Sequence, residues 1–262
     1  MMIDFASVSA LTFDCYGTLI DWEAGIVASF RPILAAAGET RDDAEVLEAF
    51  AAAEAALEAG PYRPYREILT LVAQEMGRRL GIPVRPQQAG RFATSVPDWP
   101  PFPDSAPALQ RLGQRFRLGV ITNCDDDLFA ASARQLGVAF DPVVTAARVR
   151  AYKPSPVPFT AALEAMALPV DRVVHVAQSL YHDHVPARRL GLRTVWVDRR
   201  AGRSGFGATP PASAEPDLVV PDLASFADLV LAADGGRPAA PGQDDDRGGR
   251  DDPGSARDEV DR

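Results

Sequence analysis

Cysteine and histidine are scarce in this chain, with two and three copies among 262 residues. Cys15 and Cys124 are too few for a disulfide framework, and no Cys/His spacing suits a zinc site, so a reducing compartment is expected. Long apolar runs are missing as well. No stretch approaches the roughly 18 consecutive apolar residues of a membrane span, and Met1 to Phe5 lack the basic start of a signal peptide. Positive charge is in deficit, with 27 Lys and Arg against 36 Asp and Glu, a formal charge of −9. That balance argues against a nucleic-acid or anionic-membrane surface, because phosphates are held by clustered Lys and Arg. A cytoplasmic protein acting on a small organic acid is expected, without nucleic-acid or membrane partners, and a homodimer stays open.

What is present is a rhythm of short apolar runs separated by segments of helical spacing. The runs are Val8 to Phe13, Arg117 to Thr122, Pro142 to Thr145, Val173 to Ala177, Thr194 to Val197 and Leu218 to Val220. Runs rich in Val and Ile without strict alternation suit strands buried on both faces of a parallel sheet. Helical spacing marks Ala106 to Arg115, Asp127 to Leu136, Pro158 to Met166 and His184 to Leu190. The alternation predicts a doubly wound, Rossmann-like α/β core. Residues 21–98 break the rhythm with alanine-rich helical sequence, which predicts a helical insertion after the first strand. The core then comprises residues 1–20 and 99–234. Residues 235–262, dense in Gly, Pro and Asp, read as a disordered tail.

In a doubly wound sheet, ligands gather beyond the carboxyl ends of the strands. Four such ends carry polar groups: Asp14 with Gly17 and Thr18, then Thr122 and Asn123, then Lys153, then Gln178 and Ser179 with Asp183. Singly, each has an ordinary structural role, such as a helix cap for Asp14 or a solvated lysine before Pro154. Together, at these spacings, they resemble the four motifs of the haloacid dehalogenase superfamily. The resemblance covers roughly residues 5 to 200 and implies a helical cap in the insertion and a nucleophilic Asp14.

Chemistry separates the branches of that superfamily. Its phosphatases usually carry a second aspartate two residues after the nucleophile, to protonate a departing alkoxide. Here that position is Tyr16. Halide is the conjugate base of a strong acid and leaves without a general acid, so Tyr16 favours carbon–halogen cleavage. Gln178 stands where an acid often opens the fourth motif, which leaves Asp14, Asp183 and Lys153 with one net negative charge and no call for an obligatory metal. The branch it most resembles is the 2-haloacid dehalogenases. That resemblance implies attack of Asp14 on the halogen-bearing carbon, an aspartyl ester, and hydrolysis by water. It assigns Lys153 to hold Asp14 ionised, Thr18 to fix its geometry and Asp183 to orient or deprotonate the water. Cys15, Tyr16, Thr122, Asn123 and Ser179 are the expected substrate contacts in the core.

Leu180 and Phe159 depart from that branch, which commonly has asparagine and tyrosine there, and the early cap segment Glu45 to Ala51 contains no arginine. Arg63 and Arg66, in the segment Tyr62 to Glu67, are the candidate replacements for binding a substrate carboxylate, against an ordinary solvated role. Trp22 and Trp99, near the ends of the insertion, are candidates for an apolar halide pocket or for hinge packing. His182 and His184 flank Asp183, but neighbouring residues diverge, so a supporting or surface role is preferred to a metal site. Ser179 lacks the Gly-x-Ser-x-Gly setting of a serine nucleophile. Two alternatives stay open: a phosphatase using magnesium on a small phosphate monoester, and a non-catalytic protein binding a small acid.

Overall fold

The computed structural model describes residues 3–203 and 205–232. The tail expected from residue 235 lies outside the described residues. Six parallel strands form one sheet in the order β3-β2-β1-β4-β5-β6: β1 (Ala10–Phe13), β2 (Arg117–Thr122), β3 (Val143–Thr145), β4 (Val173–Ala177), β5 (Arg193–Val197) and β6 (Leu218–Val220). β1 and β4 are buried at every position, as apolar runs without alternation require of central parallel strands. The order reverses beside β1, whose residues pair with Arg117 to Val120 on one side and Val173 to Val176 on the other. The crevice beyond β1 and β4 is therefore the switch point at which such sheets take ligands.

Four α-helices lie within the insertion after β1: α1 (Trp22–Ala37), α2 (Asp43–Glu58), α3 (Tyr65–Leu80) and α4 (Pro86–Ala93). They form the expected helical cap. Their local signals are plain. The Asp21 side chain accepts from the Ala24 amide at the start of α1, Asp42 and Glu45 form a capping box on α2, and Gly38 and Gly81 end α1 and α3 in the left-handed conformation. The first amides of α3, at Tyr65 and Arg66, donate instead to the Asp125 carboxylate at 2.8 and 3.0 Å. A core residue thus caps a helix of the insertion. Fully buried Phe30, Phe50 and Phe92 fill the cap interior, each ring contributing roughly 1.5–3 kcal/mol of apolar burial.

The sheet is completed by α5 (Ser105–Leu112), α6 (Asp126–Leu136), α7 (Ala146–Val149), α8 (Val157–Met166), α9 (Val185–Arg189) and α10 (Leu223–Ala232). Neither α7 nor α10 is anticipated from the sequence. The segment expected to be helical from His184 begins earlier, as a π-helical turn over Leu180–His184. Among the described residues no helix is long and apolar enough to cross a membrane.

Candidate active site

Asp14 is the residue immediately beyond β1, and its amide still donates to Val176 O at 3.1 Å, so the sheet ladder fixes its backbone. The chain then turns sharply. Amides of Thr18, Leu19 and Ile20 all converge on Cys15 O, and Gly17 adopts φ +94, where an added Cβ would meet the Trp22 indole nitrogen at 2.9 Å. Only glycine fits that close approach without strain. The turn brings the Thr18 hydroxyl back to donate to Asp14 Oδ2 at 2.6 Å, while Thr18 Oγ1 accepts from the Gln178 amide.

Lys153 is the only lysine in the chain. Its three ammonium protons have three acceptors: Asp14 Oδ1 at 2.8 Å, Asp183 Oδ1 at 2.8 Å and Ile121 O at 2.9 Å. A compact ammonium meets this geometry, and a planar guanidinium does not. Burial alone would lower the Lys153 pKa, but the two carboxylates raise it above its ordinary value. Burial pushes the Asp14 carboxyl up, with Lys153 and Thr18 opposing that rise. Asp183 is likewise penalised by burial, yet Lys153 and His175 together hold it below the usual carboxylate range.

His175, in the middle of β4, is a site residue that sequence reasoning misses. Its Nε2 lies 2.9 Å from Asp183 Oδ1 and its Nδ1 2.9 Å from Thr12 Oγ1. An ionised carboxylate only accepts, so Nε2 carries the proton and Thr12 donates to Nδ1. Asp183 is thereby gripped through Oδ1, and its Oδ2 is left buried with no partner. His182 and His184 are buried as well, which corrects the surface role entertained for them, and burial lowers both to about 4, so they are neutral at pH 7.

A cavity of about 30 Å³ lies over this cluster. That is room for roughly one or two water molecules. Asp14, Lys153 and Asp183 line its floor, with Tyr16, Asn123, Ser179 and His182 around it. The cap supplies Trp22 and Tyr65 together with two acids that sequence reasoning misses, Glu54 and Glu58. Tyr65 donates its hydroxyl to Glu54 Oε1 at 2.6 Å, and Asn123 donates Nδ2 to Glu58 Oε2 at 3.1 Å. Burial pushes Glu54 up to about 8 and Glu58 well above its ordinary value. Their four-residue spacing on one helix was a usable signal, since it puts both on one face.

Other expected contacts lie outside the cavity lining. Arg63 pairs with Glu67 and Arg66 with Asp127, all with exposed side chains, so neither guanidinium faces Asp14. Cys15 is fully buried, with its thiol pushed well above the ordinary range by burial. Thr122 turns its hydroxyl to Cys124 Sγ at 3.6 Å. Trp99 packs edge-on against Tyr16 and is absent from the cavity lining. Phe159 packs edge-on against His175.

The donor set does not suit a magnesium ion. The Lys153 ammonium occupies the position between Asp14 and Asp183, and Gln178 Oε1 accepts from Thr209 rather than facing the carboxylates. Among the described residues no group of three or more His, Cys, Asp or Glu is arranged to hold a metal.

The family model described as haloacid dehalogenase-like hydrolase matches residues 8–183, more than half of the chain. The chain belongs to the haloacid dehalogenase-like hydrolases. A second model, described as HAD-hydrolase-like, matches residues 151–226. The chain is 33% identical over 119 residues to haloacid dehalogenase-like hydrolase domain-containing protein 3 of Danio rerio, covering 44% of this chain and 48% of that protein. It is 30% identical over 135 residues to (S)-2-haloacid dehalogenase H-109 of Pseudomonas putida, covering 50% and 57%. These matches span about half the length of each relative. The L-2-haloacid dehalogenase of Xanthobacter autotrophicus has the same fold, with a TM-score of 0.71 and 20% identity over 88% of this chain and all of that one.

Proposed function

We propose that this family member releases halide from short 2-halo organic compounds through a covalent ester on Asp14, the 2-haloacids being the reference substrates. The observation that carries the reading is the pairing of Asp14 with Lys153 in a buried site where Tyr16 replaces a general acid. An Asp14 oxygen attacks the carbon bearing the halogen, the new C–O bond forms, and halide departs with the bonding electron pair. Water then adds to the ester carbonyl of Asp14. One of its protons passes to Asp183, whose Oδ2 has no partner among the described residues, and returns from there to the departing oxygen, so that the hydroxy product leaves; the other proton is released to solvent as the Asp14 carboxylate is regenerated. Lys153 keeps Asp14 ionised and balances charge through both steps, and Thr18 orients the attacking group.

Support comes from the named activity of the Pseudomonas relative and from a structure of the Xanthobacter enzyme with chloropropionic acid covalently bound. The cavity is too small for such a substrate, so residues 21–98 act as a cap that opens over the core of residues 1–20 and 99–234. The test is halide release from 2-chloropropionate and from its amide with a chelator present, in wild type and Asp14→Asn. Hydrolysis in ¹⁸O-labelled water under single turnover places the label in Asp14, and absence of both halide and label overturns the reading.

A further inference from the structure

The cap side of the cavity carries the wrong charge for an anion. Of the described residues lining it, Lys153 is the one cation, and its three protons are already taken by Asp14, Asp183 and Ile121 O. Facing it from α2 are two carboxyl groups, the buried Glu54 and the half-buried Glu58. We propose that Glu54 and Glu58 form a subsite for a non-anionic hydrogen-bond donor, so that the preferred substrate is a short 2-halo compound with a primary-amide type of head group rather than a carboxylate. This rests on the halide-releasing reading of Asp14 and narrows it.

Glu58 makes the stronger case. Its Oε2 is held by Asn123, whose amide cannot flip, because Oδ1 accepts from the Lys153 amide at 2.7 Å while Nδ2 also donates to Lys153 O. The other oxygen, Oε1, is buried without a partner among the described residues. A buried polar atom left unsatisfied costs free energy that a complementary group on an incoming ligand recovers. Glu58 also stands on the route in. Together with Lys153 and His182 it lines both the inner cavity and an outer groove of about 230 Å³ that runs past Ala55, Tyr152 and Pro154. A head group arriving through that groove passes Glu58.

The preference holds in either protonation state. Ionised, the two glutamates repel a carboxylate in a site of low dielectric. Protonated, a carboxyl group offers one donor and one acceptor, which a primary amide matches with one acceptor and one donor. A carboxylate only accepts, and would set its second oxygen against the glutamate carbonyl. Sites built around a substrate N–H discriminate strongly against analogues that lack it.

The full-length chain decides the matter with 2-chloropropionamide and 2-chloropropionate, after subtraction of an Asp14→Asn blank. Wild type is expected to show a kcat/KM for the amide at least about tenfold above that for the acid, and Glu58→Arg to shift the ratio toward the acid by about tenfold or more. A wild-type preference for the acid, or none, overturns the proposal without touching the ester on Asp14. Calorimetric titration of wild type with the inert pair propionamide and propionate gives an answer that does not depend on halide release. Tighter binding of propionamide supports the subsite even where the reaction reading fails, and equal binding, including none of either, overturns it.

Discussion

Lys153 joins two carboxylates that would otherwise face each other in a buried site. In a chain whose other basic residues are arginines, its ammonium meets three acceptors that a guanidinium fork does not match. Lys153→Met leaves two buried charges uncompensated, which typically costs about 3–5 kcal/mol. Urea unfolding is expected to show that loss, together with loss of halide release, and Lys153→Arg is expected to restore neither. A Met variant as stable as wild type would mean that the ion pairs contribute nothing net. The histidines are concentrated in the same way, since all three in the chain are buried within residues 175–184. His175 escapes sequence reading because it sits in an apolar strand, where a satisfied core histidine and a partner of a buried site carboxylate look alike. The sheet partner Thr12 and the returning Asp183 give it a role, and neither contact is local in sequence.

At the scale of elements, the central strands were legible because burial on both faces leaves a largely apolar run; β2 and β4 begin and end where that run does, and so does the edge strand β6, whose Val219 is exposed. The four motif positions were legible because parallel topology places strand ends together. Cap chemistry was harder to read. Which face of α2 meets Asp14 depends on how that helix packs on α1 and α3, and alanine-rich sequence gives little periodic contrast to orient it. The arginines of α3 were natural candidates for a carboxylate, but that helix turns its N-terminal backbone toward Asp125 and its guanidinium groups toward exposed partners. Asp125 is consequently a fastening between cap and core. Asp125→Ala is expected to lower stability by about 1–2 kcal/mol, as loss of a strong N-cap does, and to raise KM more than it lowers kcat. Asp127→Ala, which breaks the exposed pair with Arg66, is expected to cost less than about 1 kcal/mol. Paired denaturation and kinetic measurements separate the two; equal effects would remove the special place of Asp125.

The whole molecule carries its acidic excess into the closed site, and that has a consequence for stability against pH. Glu54 faces the Tyr65 hydroxyl from α3, Glu58 from its own helix and Asp14 from the core, and burial sets its pKa at about 8 against an ordinary 4.5. Between those two values the folded protein keeps a proton that the unfolded chain has released. Folding therefore loses stability as pH rises through that window, and the loss is complete above about 8. Glu58 shifts in the same direction and adds to the effect. Glu54→Gln replaces the titrating group with a neutral one whose Oε1 still accepts from Tyr65. The Tm advantage of Glu54→Gln over wild type is expected to be small near about pH 5 and to grow by several degrees near about pH 8.5, at about 2–4 °C per kcal/mol for a chain of this size. Calorimetric scans of both proteins across that range provide the measurement. A constant difference would mean that Glu54 is ionised throughout, with a cation drawn into the cavity to balance it, and a narrowing one would reverse the sign of the burial argument.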